Sequence, residues 1–452
     1  MDRTPTISAE QIKTLNRPGP RYTSYPTAPV WTEAVGPEEF VSTVQNADSN
    51  QDISLYLHLP FCPRHCHFCG CNVIITSNRE VISEYVRILG QEIERISRLF
   101  SSRKVRQLQW GGGSPTHLSP EEIVWLSDKI RSSFSFAKDF ESGIEINPQY
   151  TTEELLNAIS KAGFNRISMG IQDFDPKVQK VINRIQPYEQ VQSVMQMVRE
   201  RFSGRSVNFD LIYGLPYQTR ESFQRTLSQV LELSPDRMAL YSYAHVPWLK
   251  PLMKLFPEGS LADQVEKMGI FTDSVNTMLS HGYQFIGLDH FARREDPLSK
   301  AFDDRSLHRN FMGYTTMKGL DLIGMGMTSI SQVDSSFFQN HKKLSTWRDA
   351  VQASKLPIHK GHICSPEDKY RQKVIDQILC QLSYQEDGFS HKFALEYEEL
   401  VPLRDQGLIE LDETGLRVTD LGRFFMRNIC LPFDTYYREQ KKSEKPMFSQ
   451  TV

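Results

Sequence analysis

The stretch SLYLHLPFCPRHCHFCGCN (54–72) runs from an apolar segment straight into Cys62, Cys66, Cys69 and Cys71, four of the chain's seven cysteines. Residues 53–59, ISLYLHL, have the apolar, β-branched and aromatic make-up of a buried strand. Runs of the same kind follow at 105–110, 143–146, 166–171, 208–215 and 237–243. Between them lie helical patterns, clearest in EVISEYVRILGQEIERISRLF (80–100), where apolar residues recur at a period of about 3.6. Segments 119–134, 152–162, 175–184, 189–202 and 219–233 also predict helices. Ser119-Pro120-Glu121-Glu122 supplies an N-cap, a proline in the first turn and favourable acidic charge. Strands alternating with helices imply an α/β fold around a parallel sheet with right-handed crossovers. Such a sheet opens as a doubly wound fold or curls into a full or partial barrel, and the pattern leaves both open. Either form gathers functional groups at the carboxyl ends of its strands. The cysteines stand at the first of those ends.

The chain has 452 residues, with 52 basic and 55 acidic side chains and a formal net charge of -3. That balance gives no global attraction to nucleic acid or to an anionic membrane, although a local basic pocket remains open. The first twenty residues lack the apolar core of a signal peptide, and no stretch has the ~18 apolar residues of a membrane span. The expectation is a cytoplasmic protein with reduced thiols, so the cysteines read as metal ligands, catalytic groups or small buried residues. An odd number of them weakens a disulfide framework further.

Three units are expected: 1–50, 51–355 and 356–452. The first holds RPGPRYTSYPTAP (17–29), which is too rich in Pro, Tyr and Thr for a helix. Composition alone makes it a disordered or surface-draped arm. The second carries the strand–helix units, a helix at 260–281 and loop-rich sequence after it. In the third, helical patterns at 365–382 and 392–407 precede a hairpin over 408–420, turning at Glu413-Thr414-Gly415, and a helix at 420–429. This order suggests a mostly helical, winged-helix-like domain. No basic run marks it for DNA, so a packing or lid role competes with nucleic-acid binding. A polar tail follows residue 437.

Thiolates bind soft metal centres, and a short loop lets several reach one cluster. Structural zinc normally uses two separated pairs of ligands, whereas Cys364, Cys380 and Cys430 are isolated, although His65 and His67 offer alternative donors. Ligand softness and spacing therefore favour iron–sulfur. Downstream, Gly111-Gly112-Gly113-Ser114-Pro115-Thr116 follows the second strand and opens a path for close backbone approach to a ligand. Glu145, Gln172, Arg184 and Asp210 stand at or just after later strands. Singly each is an ordinary cap or surface charge. Together they offer partners for hydroxyls and, through the arginine, for a carboxylate.

The spacing Cys62-x3-Cys66-x2-Cys69, with Phe68 before the last cysteine, resembles the signature of the radical S-adenosylmethionine superfamily. That resemblance implies a [4Fe–4S] cluster held by three thiolates, with one iron left open to chelate S-adenosylmethionine. Nearly the whole chain is also similar to the oxygen-independent coproporphyrinogen III oxidases (dehydrogenases) of heme biosynthesis. The motifs are RYTSYPTA (21–28), SLYLHLPFCPRHCHFCGCN (54–72), QWGGGSPT (109–116), NRISMGIQDF (165–174), FDLIYGLP (209–216), YAHVP (243–247), GYQFIGLDHFAR (282–293), LHRNFMGYTT (307–316), GMGMTSIS (324–331) and RNICLPFDTYY (427–437). The family resemblance implies a partial parallel (β/α)6 barrel and two bound S-adenosylmethionine molecules. It places cofactor contacts at Tyr56, Phe68, Gly112, Gly113, Ser114, Glu145, Gln172, Arg184, Asp210, Ala244 and Ile330, with Tyr56 and Cys71 also in catalytic positions. The implied reaction converts two propionates of coproporphyrinogen III to vinyls, giving protoporphyrinogen IX, through a 5′-deoxyadenosyl radical. It needs a low-potential electron donor and an electron acceptor, no nucleic acid and no membrane, and a monomer is expected.

Three positions depart from that family: Ser114 for threonine, Asn147 for aspartate and Met312 for glutamine. Cys71 is too close to Cys69 to join the same three-ligand cluster, so it is either a small loop residue or a redox or substrate contact. His290 and His308 read equally as substrate contacts or as structural histidines. Arg21 is a candidate for the substrate's carboxylates. Two other functions compete: a heme-carrying chaperone of the same superfamily, and a winged-helix regulator with a redox-sensing cluster.

Overall fold

The computed structural model describes residues 4–440, apart from 203 and 205, together with 448–451. Six strands build the parallel core: β1 (Ile53–Leu59), β2 (Lys104–Gly112), β3 (Ser135–Ile146), β4 (Arg166–Gln172), β5 (Ser206–Tyr213) and β6 (Arg237–Ser242). They pair in chain order, each parallel to the next. The strand and helix patterns match the observed elements closely. The helix Arg79–Leu99, for example, buries Ile82, Tyr85, Val86, Ile88, Leu89, Ile93 and Ile96.

The loop-rich expectation after residue 281 is corrected. Asp321–Met325 pairs parallel to β1 on its free side, and Ile330–Val333, Ser336–Asn340 and Ile358–His362 continue from it antiparallel. Beyond β6, His290–Arg293 and Tyr283–Gly287 extend the other edge, making a 12-stranded sheet. These added strands are short, so their periodicity is too brief to separate from loop. Residues of both extensions, His290 on one side and Gln339 on the other, line a single cavity. The sheet is therefore curled, which resolves the choice between open sheet and partial barrel.

The arm differs from its compositional reading as well. Residues 17–27 form no helix, yet Tyr22 and Tyr25 are 4% and 2% exposed. Arg309 donates to the Tyr22 carbonyl, Gln372 Nε2 to that of Tyr25 and Trp31 Nε1 to that of Pro26. Short helices flank the stretch at Ala9–Leu15 and Pro37–Asn46.

At the other end, the helices Pro366–Gln381 and Ala394–Asp405 pack with a three-stranded sheet of Ser383–Gln385, Ile409–Asp412 and Gly415–Val418. That order is winged-helix-like. The expected helix at 420–429 is split into a 3-10 turn, Gly422–Phe425, and Met426–Cys430. Of the polar tail, 441–447 and 452 lie outside the described residues, while Gln450 bridges to Pro18. No helix among the described residues is long and apolar enough to cross a membrane.

Candidate active site

β1 is buried on both faces except at Tyr56, whose side chain reaches toward the cavity. The strand stops at Pro60, and the loop beyond closes on itself. Ile74 N donates to Pro60 O at 2.8 Å and Thr76 N to Cys62 O at 3.1 Å. Across from it, residues 181–183 pin the loop. His67 N donates to Ile182 O at 3.0 Å, the His67 ring bonds Val181 O at 3.0 Å, and Asn183 Nδ2 donates to His65 O at 2.9 Å. The carbonyl of Val181 thereby fixes Nδ1 and the orientation of the His67 ring.

Cys62, Cys66 and Cys69 are half-buried, and Cys71 is exposed. Burial pushes the Cys62 thiol up to about 12, reinforced by Cys69 and Cys66. Burial raises Cys66 too, with the nearby Arg184 pulling it back. Arg184 Nη1 lies 3.8 Å from Cys66 Sγ. A hydrogen bond between the Cys69 and Cys71 thiols favours one thiolate in that pair, and it falls on Cys69. Three facing thiols that repel one another as anions suit a cationic centre that would draw all three into the thiolate form. The same contact holds Cys71 in the protonated form.

The glycine run sets the second wall. Gly113 N donates to Leu59 O at 2.8 Å and Ser114 N to Phe61 O at 2.9 Å, binding this turn to the cysteine loop. A Cβ on Gly113 would meet the Pro60 carbonyl carbon at 2.6 Å, and one on Gly112, whose φ is +111°, would meet the His58 ring at 2.6 Å. Both positions need glycine for space, and Gly112 for its backbone as well. Ser114, the departure from threonine, bonds Thr116 Oγ1 at 3.1 Å and needs only its hydroxyl to do so.

Glu145 on β3 and Asp210 on β5 face a cavity of about 880 Å³. Burial lifts Glu145 to about 7, with the Asp210 charge adding to it and the Gly112 N–H opposing. Asp210 is raised by burial against bonds from Asn208 Nδ2 and Ser168 Oγ, at 2.9 and 3.0 Å. A ligand bringing hydroxyl or ammonium donors would relieve this acidic pair. Arg184 donates to Gly170 O at 2.7 Å and to Asn147 Oδ1 at 3.2 Å, and its buried Nε has no partner among the described residues. Asn147 thus receives the arginine without neutralising it, leaving its charge for an anion.

Tyr56, Gly112, Glu145, Asp210 and Ile330 line the cavity with Cys71, His290 and Met312. Phe68, Gly113, Ser114, Gln172, Arg184 and Ala244 do not. Of these, Arg184 reaches a cysteine sulfur; Phe68 packs on a cluster containing Ile182 and Tyr243, and Gln172 (φ +67°) sits at a bulge next to Arg184's anchor. Arg21 pairs with Asp289 at 3.1 Å. The His308 ring is lowered by burial, and His290 is pushed down to about 4, chiefly by burial. His58, absent from the sequence reading, bridges Tyr56 OH (3.3 Å) and Asn72 O (3.0 Å), with burial pushing it down to about 4. The i, i+2 spacing of Tyr56 and His58 on one strand face is the signal that points to it.

A three-thiol loop after the first strand of a curled parallel sheet, with a glycine turn beside it, defines a radical S-adenosylmethionine enzyme. The model of the Radical SAM superfamily matches residues 56–230. The chain belongs to the oxygen-independent coproporphyrinogen III oxidase family. It is 41% identical to the oxygen-independent coproporphyrinogen III oxidase of Synechocystis sp. over 99% of both chains, and 40% identical to that of Escherichia coli over 98% of this chain and 97% of that one. It also superposes on the solved coproporphyrinogen III oxidase of Escherichia coli, described as a radical SAM enzyme. The TM-score is 0.89 at 39% identity, covering 92% of this chain and 97% of the other. A [4Fe–4S] cluster and S-adenosylmethionine are the cofactors of this class, and the donor set fits both.

Proposed function

We propose that this chain converts coproporphyrinogen III to protoporphyrinogen IX without oxygen, in keeping with relatives named oxygen-independent coproporphyrinogen III oxidase. The observation that carries the reading is the exposed Cys71 thiol on the wall of a large cavity, two residues beyond the last cysteine of a three-thiol loop. Each of two propionates loses one hydrogen atom, CO2 and one electron to become a vinyl group. When bound, the cluster and S-adenosylmethionine supply one-electron and hydrogen-abstraction chemistry.

The chain's own residues do the rest. Cys62, Cys66 and Cys69 hold the cluster, and Arg184, beside Cys66, holds the cofactor's carboxylate. Glu145 and Asp210 take up its hydroxyl and ammonium donors, and the Gly112–Ser114 turn lets its methionine end approach the backbone. Phe68, Gln172 and Ala244 shape the thiol side of the site and Ile330 the cavity side. Tyr56 is oriented by the neutral His58, whose Nε2–H donates to Asn72 O while Nδ1 accepts from the tyrosine. Cys71 places its Sγ–H on the cavity wall as a redox or substrate contact. Met312 replaces a hydrogen-bonding wall with an apolar one, which suits the macrocycle's rings.

A low-potential electron donor and a separate acceptor are required partners, and all seven cysteines are free thiols, as a reducing, cytoplasmic setting would keep them. The three-unit organisation is proposed with its second boundary moved beyond His362, because Ile358–His362 is an edge strand of the main sheet.

The test is anaerobic incubation of reconstituted protein with coproporphyrinogen III, S-adenosylmethionine and a reductant. Protoporphyrinogen forming together with 5′-deoxyadenosine supports the assignment. Cofactor cleavage without decarboxylation, or stable heme binding in its place, would sink it in favour of the chaperone.

A further inference from the structure

The cavity wall carries five strong cations: Arg166, Arg237, Lys250, Lys342 and Lys343. The two arginines are already neutralised, Arg166 by Glu141 at 2.9 Å and Arg237 by Asp296 at 2.8 Å. None of the three lysines has a carboxylate within ion-pair distance among the described residues. They come from two separate segments that flank the end of the cysteine loop. Lys250 Nζ donates to Cys71 O at 3.1 Å, and Asn72 Nδ2 donates to Lys342 O at 3.3 Å. Cys71 therefore sits between two basic arms. The deep wall has the opposite sign, because Glu145 and Asp210 lie there.

From this charge pattern we propose that Lys250, Lys342 and Lys343 form a carboxylate subsite that binds the substrate's propionate groups on either side of Cys71. The proposal rests on the assigned reaction for the identity of the anion. A tetra-anionic macrocycle gains nothing from the molecule as a whole, whose formal net charge is -3, so attraction must be local. The acidic depth repels carboxylates and the lysines receive them, which orients the ring. Lysine suits the task better than arginine. Its ammonium is a mobile point charge with three donors and no fixed fork, and Lys250 spends only one donor on Cys71 O. Such a set can re-seat whichever carboxylates remain after the first propionate has become a vinyl group.

Binding groups of this kind hold substrate and transition state alike, so their loss acts on KM rather than on kcat. Lys250→Ala, Lys342→Ala and Lys343→Ala should each raise KM for coproporphyrinogen III about three- to tenfold, the exposed Lys342 and Lys343 toward the lower end. Lysine-to-arginine variants should restore most of it. S-adenosylmethionine affinity and cluster absorbance should stay at wild-type values. A readout independent of turnover is the quenching of coproporphyrin III fluorescence on binding, which should weaken in the triple alanine variant and with added salt. Coproporphyrin tetramethyl ester should bind equally to wild type and variant. Unchanged KM and unchanged coproporphyrin III affinity in the triple variant overturn the subsite while leaving the reaction intact. Absent turnover in the wild type, with lysine-dependent coproporphyrin III binding retained, overturns the reaction and supports the subsite.

Discussion

Cys69 and Cys71 are separated by a single glycine, yet their surroundings give them opposite protonation states. The thiolate of the pair falls on Cys69 and the proton on Cys71, which separates the proposed ligand from the thiol on the cavity wall. Cys62→Ala, Cys66→Ala and Cys69→Ala are each expected to abolish the cluster's visible absorbance after reconstitution. Cys71→Ser should keep wild-type iron and sulfide content while decarboxylation falls about a hundredfold or more. Loss of iron in the serine variant would place Cys71 among the ligands. The cysteines and Glu145 were legible because each stands directly at or after a strand end, and Asp210 because it is a lone acidic residue within a buried strand. His58 was not, because its i, i+2 spacing from Tyr56 gains meaning only once Tyr56 is seen to face the cavity. Only the fold puts Tyr56 OH and Asn72 O on its two nitrogens.

At the scale of elements, the helix Arg79–Leu99 does more than cover the sheet. Its buried Glu92 accepts from Gly326 N and Trp347 Nε1 at 2.9 Å each and from Asn340 Nδ2 at 2.7 Å. It thereby fixes the turn leading to Thr328, Ser329 and Ile330 on the cavity wall. Burial nonetheless pushes the Glu92 carboxyl up to about 7 against these three donors. Glu92→Gln would turn an amide nitrogen toward N–H donors and should cost about 1–3 kcal/mol of stability. The raised carboxyl contributes stability that is full below about 4.5 and is lost as pH rises through about 7. The gap between wild type and variant should therefore narrow on going from about pH 5 to about pH 8 in denaturant titrations. A gap independent of pH would show that Glu92 does not titrate in this range. Helical periodicity marked the helix itself, but an acidic residue on its buried face reads in sequence as one more surface charge.

Across the whole molecule, the two ends of the chain close on one guanidinium. Arg427 donates to the carbonyls of Gly19 and Pro20 on the arm and of Ser449 and Gln450 in the C-terminal segment. Arg427→Met should release the arm, seen as faster proteolysis within residues 17–29, with the sheet's protection unchanged. Equal cleavage rates would show that the other arm contacts suffice. The buried histidines contribute to acid stability alongside carboxyls such as Glu141, held down at about 2. His58 and His290, each pushed down to about 4 chiefly by burial, contribute stability that is full above about 6.5 and lost as pH falls through about 4. Each is worth at most on the order of 3 kcal/mol, so His290→Gln should flatten the acid limb of a stability–pH curve.

The sequence by itself determined the alternating strand–helix core, the three-thiol loop and its glycine partner, since local periodicity and ligand spacing are short-range properties. Whether the sheet curled, whether the arm was buried, and which cations and acids faced one cavity were decided only by tertiary structure. Those outcomes depend on contacts between residues hundreds of positions apart, such as Arg309 with Tyr22 or Asn340 with Glu92. No pattern within one segment encodes them.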